Sequence, residues 1–222
     1  MSTTSQKKTK QQKKEEKHAK SKEKQAQKDD KRRCKKLKPC IVQNKKVYTV
    51  AIEIFGKNMM TEKEVRSLCS QICQCYSLNQ RVFFPVNLVI SNYKKIADNL
   101  DSGHKRWDIR CVDIPLLNDP DISFVYLSAD ADDVLIDPDP TVFYVIGGLV
   151  DRNRLAGVVQ NYCLNRDVRS VRLPLKEHCV LSSSCVLTCD QVFGILVTYF
   201  WCKDWKQALK ENIPQRKVVK WL

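Results

Sequence analysis

Apolar residues along the chain form short continuous runs, separated by segments in which they recur at helical spacing. The continuous runs lie near residues 47–54, 86–90, 108–112, 123–127, 142–146 and 169–175. Short apolar runs with frequent β-branched and aromatic residues are typical of strands buried on both faces of a parallel sheet. Because strands and helical segments alternate, the pattern predicts an α/β fold with a mostly parallel sheet and helices on both of its faces.

The segments between the runs carry helix signals. Thr61 and Glu64 have the spacing of a capping box at the start of the first helix. A short polar helix is predicted near residues 93–100, another helix over 155–163, and a last long helix that Thr188 can cap. Ligands of such folds bind outside the carboxyl ends of the strands, so residues that follow the predicted strands are the first candidates for a site.

Two adjacent glycines, Gly147 and Gly148, end the fifth predicted strand, and one carboxylate, Asp151, follows them. Glycine has no Cβ, so a ligand or a neighbouring segment can touch its peptide groups. Arg152 and Arg154 would keep Asp151 ionised and attract a polyanion, an arrangement that suits proton abstraction beside a phosphate-binding surface. The same residues also fit a tight turn without a ligand and an aspartate that caps a helix.

Positive charge is concentrated at the amino terminus. Residues 1–40 contain 14 Lys and 2 Arg against 5 acidic residues, which gives +11 of the chain's net +14. With almost no aliphatic residues to bury, this part predicts a disordered basic tail over residues 1–44, ahead of one folded domain over 45–222. The tail is either a solubilising extension or a mobile polycation that raises affinity for nucleic acid in a salt-dependent way.

Composition and motif spacing argue against several classes of protein. No run approaches the ~18–20 apolar residues of a membrane span, and no secretory signal precedes the basic tail, so we expect a soluble protein of the nucleus or cytoplasm. The 11 cysteines include no CxxC pair and only three histidines accompany them, so we expect reduced thiols and no metal site. A GxGxxG fingerprint is absent, which leaves a nicotinamide oxidoreductase as a weak alternative.

Five aspartates follow the fourth predicted strand, at positions 130, 132, 133, 137 and 139. Clustered carboxylates can bind a hard cation, but the prolines around them favour a solvated loop. Asp130 is the exception, because it comes directly after the strand end and can face the same site as Asp151.

Seven short segments recur in a recognisable order. They are YSLNQR at 76–81, YLSAD at 126–130, YVIGGLVDRNR at 144–154, RLPL at 172–175, VLT at 186–188, DW at 204–205 and IPQRK at 213–217. In order and spacing they resemble the eukaryotic tRNA guanine-9 N1-methyltransferases of the SPOUT superfamily, over about residues 47–217. This family usually has Asp and an acidic loop after the first strand, where this chain has Glu53 and then Phe55, and it commonly has Lys where this chain has Ala156.

The resemblance implies a SPOUT fold with a C-terminal trefoil knot, whose loops would bind S-adenosylmethionine. It implies a monomer that methylates N1 of guanosine at position 9 of tRNA, with Asp151 as the general base; a non-catalytic RNA-binding protein that uses the fold as a platform for partners is the alternative. Residues implied to bind the cofactor are Leu127, Gly147, Gly148, Arg152, Asn153, Arg154, Leu155, Cys163, Leu175 and Thr188. Basic candidates for RNA contact are Arg81, Lys94, Lys95, Arg152, Lys203, Arg216 and Lys217.

Overall fold

The computed structural model describes residues 47–55, 57–100, 102–118, 121–151, 154–182 and 184–222. The predicted tail over 1–44 lies outside these residues. The strands are β1 Thr49–Ile54, β2 Asn87–Ser91, β3 Arg110–Cys111, β4 Phe124–Leu127, β5 Phe143–Gly148, β6 Ser170–Val171, β7 Cys179–Leu181 and β8 Val218–Trp221. The α-helices are α1 Glu62–Arg81, α2 Val158–Leu164, α3 Leu175–His178, α4 Cys189–Cys202 and α5 Trp205–Asn212.

Six strands form one sheet in the order β3-β2-β1-β5-β4-β6, and every neighbouring pair is parallel. Thr49 of β1 stands opposite Asn87 on one side and Phe143 on the other, so the strand starts are level. The carboxyl ends of the strands therefore meet at one edge of the sheet, here called the carboxyl edge, and their starts form the amino edge. The predicted parallel sheet is confirmed.

Side chains of β1 alternate between two apolar layers. Val50, Ile52 and Ile54 face the larger core, which also contains buried residues of α1, α4 and α5. Ala51 faces the smaller core on the other side, where Cys163 of α2 is buried. Period-two alternation with burial on both faces is what a central parallel strand requires, and the expected helices on both faces are confirmed.

Helix α1 begins and ends on specific polar contacts. At its start Glu64 N donates to Thr61 Oγ1 at 3.4 Å and Thr61 N donates to Glu64 Oε2 at 2.7 Å, which completes the predicted capping box. Near its end the buried Asn79 side chain donates to the Val86 carbonyl and accepts from Val86 N, both at 2.9 Å. Because β1 and β2 are parallel, α1 runs back from the carboxyl edge to the amino edge.

The structure differs from the predicted elements in four places. The helix predicted over 155–163 begins only at Val158, after a turn that ends at Gly157. Residues 93–100 form two short 3-10 turns instead of one helix. The strand predicted over 169–175 pairs with β4 only over Ser170–Val171. It ends there because the chain turns into α3, where Leu175 N donates to the Leu173 carbonyl at 2.8 Å. The antiparallel β7-β8 ribbon and helix α5 were not predicted.

The trefoil knot implied by the resemblance stays a prediction. Within the residues that the structure describes, no helix is long and apolar enough to span a membrane.

Candidate active-site crevice

A cavity of about 290 Å³ opens at the carboxyl edge, where β4 and β5 end and where α2, α3 and α4 begin. Four residues predicted to bind the cofactor line it: Leu127, Gly147, Leu155 and Leu175. Its other large apolar lining residues are Ile146, Leu149, Val158, Val159, Leu173, Val186, Leu187 and Val192. Its charged lining residues are Asp130, Asp151, Arg172 and Lys176. The site is therefore an apolar crevice with a few charged groups, as is usual for small-molecule sites.

The two glycines at the end of β5 are needed for different reasons. A Cβ on Gly147 would lie 2.8 Å from Val159 Cγ2, so this glycine lets α2 pack against the crevice floor. A Cβ on Gly148 would lie 2.8 Å from the Glu53 carbonyl oxygen, so this glycine lets β5 approach β1. Gly147 lines the crevice, whereas Gly148 is not among its lining residues. A cofactor contact at Gly148 stays a prediction.

Asp151 lies on the crevice wall with its carboxylate held by the chain that follows it. Asp151 Oδ2 accepts from Leu155 N at 2.7 Å, and the Asp151 carbonyl accepts from Arg154 N at 3.1 Å. The loop thus folds back on the carboxylate as in a helix cap. The role of Asp151 as a general base stays a prediction. The carboxylate is fixed in orientation while it lines the cavity.

Asp130 lines the same cavity from the neighbouring strand end. Its Oδ2 accepts from Gly157 N at 3.2 Å, at the turn that begins α2, where Gly157 has φ +74°. The prediction that Asp130 and Asp151 face one site is confirmed. Among the residues that the structure describes, no group of three or more His, Cys, Asp or Glu side chains is arranged to hold a metal ion.

Arg154 points away from the crevice. Its Nη2 donates to the Met59 carbonyl at 2.9 Å and to Glu64 Oε2 at 3.1 Å. The pKa of Glu64 is lowered, first by the hydrogen bond from the Thr61 backbone and then also by the charge of Arg154. Arg154 therefore ties the Asp151 loop to the start of α1, and its predicted cofactor contact stays a prediction.

Cys163 lies in the smaller core, on the face of the sheet that Ala51 occupies. Burial and the nearby Glu53 raise the pKa of its thiol to about 11. Glu53 is itself buried there. Its Oε2 accepts from Leu116 N at 3.2 Å and its Oε1 accepts from the Tyr162 hydroxyl at 3.3 Å. Neither residue lines the crevice. Glu53 thus has a structural role in joining β1 to α2, and the cofactor contact of Cys163 stays a prediction.

Three predicted cofactor residues remain. Thr188 lies beside the crevice, and the other two lie outside the described residues. Thr188 caps α4 through a capping box with Gln191, and its neighbours Leu187 and Cys189 line the cavity. Arg152 and Asn153 lie outside the described residues. Ala156, which departs from the usual family residue, lines the cavity.

The predicted RNA-binding residues divide between the two edges of the sheet. Lys95 Nζ donates to the carbonyl of Ile54, the last residue of β1, at 3.3 Å, and the adjacent Lys94 pairs with Asp113 at 2.8 Å. Lys217 Nζ donates to Gln191 Oε1 at 3.3 Å beside the start of α4, and burial lowers its pKa. These lysines, together with Arg216, lie at the carboxyl edge with the crevice.

Arg81 and Lys203 lie at the amino edge instead. Arg81 is the last residue of α1, just before β2 begins, and its Nε donates to the Ser77 carbonyl at 3.1 Å. Lys203 follows α4 and its ammonium contacts the hydroxyl of Tyr48, which directly precedes β1. Helix α4 starts at the crevice and has 14 residues, so its length of about 21 Å separates Lys203 from the crevice. The 20-residue α1 is about 30 Å long, and Arg81 lies at its end at the amino edge.

The chain is similar to proteins of one known family. Residues 1–218 match the family described as tRNA (guanine(9)-N(1))-methyltransferase TRM10/TRM10A. The chain belongs to the TRM10/TRM10A family. A TRM10-family relative from Schizosaccharomyces pombe, tRNA (guanine(9)-N1)-methyltransferase, is 30% identical over 179 residues, which cover 77% of this chain and 59% of the relative. The tRNA methyltransferase 10 homolog A of Xenopus tropicalis is 32% identical over 169 residues, which cover 72% of this chain and 50% of the relative.

The chain therefore spans between half and three fifths of the length of these two relatives. Solved TRM10 structures have the same fold. The crystal structure of spTrm10(74) superposes with a TM-score of 0.70 at 28% identity and covers 78% of this chain and 100% of that one. The spTrm10 complex with SAH superposes with a TM-score of 0.66 at 29% identity and covers 78% and 99% of the two chains. The SPOUT methyltransferase fold is confirmed by these neighbours.

Proposed function

We propose that this chain methylates N1 of guanosine at position 9 of tRNA and takes the methyl group from S-adenosylmethionine. The observation that carries the proposal is the crevice at the carboxyl edge of a TRM10-family fold, floored by Gly147 and bearing Asp151 on its wall. The similar spTrm10 structure is a complex with SAH, which is the product of the same methyl donor. Names of the curated relatives give guanine-9 of tRNA as the target of those proteins.

The crevice fits the proposed cofactor in size and chemistry. Its volume of about 290 Å³ is at the lower end of the usual range for ligand pockets. Leu127, Leu155 and Leu175 offer apolar surface for a nucleoside, and Gly147 exposes its peptide group because it lacks a Cβ. The carboxylates of Asp130 and Asp151 favour the positively charged end of such a molecule. S-adenosylmethionine would supply an electrophilic methyl group on a sulfonium.

Asp151 is the residue to which we assign the chemistry. Guanine N1 carries a proton at neutral pH, and this proton must leave as the new bond to carbon forms. The Leu155 N–H holds the Asp151 carboxylate in a fixed orientation at the cavity wall, where it can accept that proton.

The partner and the location follow from the same proposal. The target nucleotide must be unstacked to enter the crevice, and the basic residues at the carboxyl edge are placed to contact the RNA around it. We propose that the protein acts as a monomer in the nucleus or cytoplasm.

The test is incubation of the purified protein with unmodified tRNA and labelled S-adenosylmethionine, followed by nucleoside analysis. Asp151→Asn should reduce 1-methylguanosine formation by about 10²-fold or more, the usual contribution of a general base, while SAH affinity measured by calorimetry stays within about twofold. Asp132→Asn is the matched control, because this exposed aspartate follows the neighbouring strand β4 and does not line the crevice. Full turnover by Asp151→Asn would show that another group takes the proton. A protein that binds tRNA but neither SAH nor S-adenosylmethionine would be the non-catalytic platform instead.

A further inference from the structure

Two basic side chains line the described part of the crevice, Arg172 and Lys176, and they differ in their partners. Arg172 makes two hydrogen bonds with the Glu177 carboxylate, from Nη1 at 3.0 Å and from Nη2 at 2.8 Å. This contact lowers the pKa of Glu177 and keeps the carboxylate ionised, so the pair is close to neutral. Arg172 therefore has little positive charge to offer a ligand.

Lys176 has no hydrogen-bond or ion-pair partner within the described ranges, and its side chain is exposed. Its position is nevertheless well fixed. The preceding Leu175 is buried at 5% exposure, and Leu175 N donates to the Leu173 carbonyl at 2.8 Å. The Arg172–Glu177 ion pair joins the residues on either side of this turn. Among the described residues that line the crevice, Lys176 is thus the basic side chain that is not paired with a carboxylate.

We infer that Lys176 binds a phosphate of the RNA backbone next to the nucleotide that enters the crevice. This inference rests on the proposed function. The acidic side chains, Asp130 and Asp151, follow β4 and β5, whereas Lys176 lies in α3 after β6, so the positive and negative lining groups come from different segments of the crevice wall. A lysine ammonium binds phosphate as a point charge on a long flexible stem. An exposed cation at the opening is placed to meet the nucleic acid rather than a small molecule enclosed by the inner apolar walls.

The experiment measures tRNA binding of the full chain by fluorescence anisotropy at several salt concentrations. Lys176→Met should lower tRNA affinity and reduce the slope of log K against log salt by about one, because one phosphate contact is lost. Lys176→Arg should keep the wild-type slope. The control Lys220→Met removes the same charge from an exposed position in β8 that does not line the crevice, and its slope should stay close to wild type. SAH affinity of Lys176→Met should be unchanged in calorimetry.

Two results would overturn the inference. An unchanged salt slope in Lys176→Met would show that the ammonium contacts no phosphate. A loss of SAH affinity with an unchanged slope would instead assign Lys176 to the carboxylate of the cofactor. The binding measurement does not require turnover, so a wild-type protein that bound tRNA without methylating it would contradict the proposed function and leave the result for Lys176 intact.

Discussion

Gly148→Ala should destabilise the fold through one steric contact in the centre of the sheet. The added Cβ would lie 2.8 Å from the Glu53 carbonyl oxygen and 2.9 Å from Ile54 Cδ1. Carbon and oxygen ordinarily approach to about 3.3–3.6 Å. β1 is held between β2 and β5 by backbone hydrogen bonds, so it cannot easily move away. Overpacking of this kind costs about 1–3 kcal/mol.

For a domain of this size each kcal/mol shifts Tm by about 2–4 °C, so Gly148→Ala should melt roughly 2–12 °C below wild type. Gly147→Ala should lose less, because its close neighbour is the Val159 side chain, which can shift. Gly103→Ala is the matched control, since nothing lies within 4 Å of the added Cβ. Thermal and urea unfolding followed by circular dichroism would measure all three. If Gly148→Ala and Gly103→Ala had the same Tm, the steric argument would be wrong.

Three further predictions concern the surroundings of the crevice. Arg154→Met should leave SAH affinity unchanged in calorimetry but reduce turnover, because the guanidinium fixes the loop against α1; weaker SAH binding would return Arg154 to the cofactor site. Glu177→Gln should cost about 0.5 kcal/mol in urea unfolding near pH 7. Arg172 lowers the pKa of Glu177 below its ordinary 4.5, so this cost should disappear as the pH falls through and below that value; a pH-independent cost would contradict the ion-pair account. Cys185 should be alkylated faster than Cys189 in peptide mass spectrometry, because burial raises the pKa of the Cys189 thiol to about 12; equal labelling would show that the crevice floor opens.

Local signals in the sequence predicted the elements that local chemistry specifies. The Thr61–Glu64 capping box and the cap at Thr188 depend on residues three positions apart, and both are present. The position of Asp130 and Asp151 at one cavity followed from the rule that parallel strands end at a common edge. The contact of Arg154 with Glu64 could not be predicted from the sequence, because the two residues are far apart in the chain and only the tertiary fold brings them together. The β7-β8 ribbon was missed for the same reason, since its two short strands are far apart along the chain.

Lys176 was also missed, although a signal was available. It follows the apolar run and Pro174 just as Asp151 follows β5, and a charged residue at that place in an α/β fold deserves the same scrutiny. The sequence alone could not separate it from the adjacent charged positions, because only the structure shows that Glu177 compensates Arg172 and leaves Lys176 uncompensated.

The central position of β1 has a consequence for synthesis of the chain. β1 is the first described strand, yet one of its two neighbours, β5, begins only at Phe143. A nascent chain that has released β1 and β2 but not β5 carries an apolar strand with one open row of backbone donors and acceptors. Such an edge invites pairing with other chains. Truncated products that end before Phe143 should therefore accumulate as aggregates or require a chaperone until β5 covers that edge.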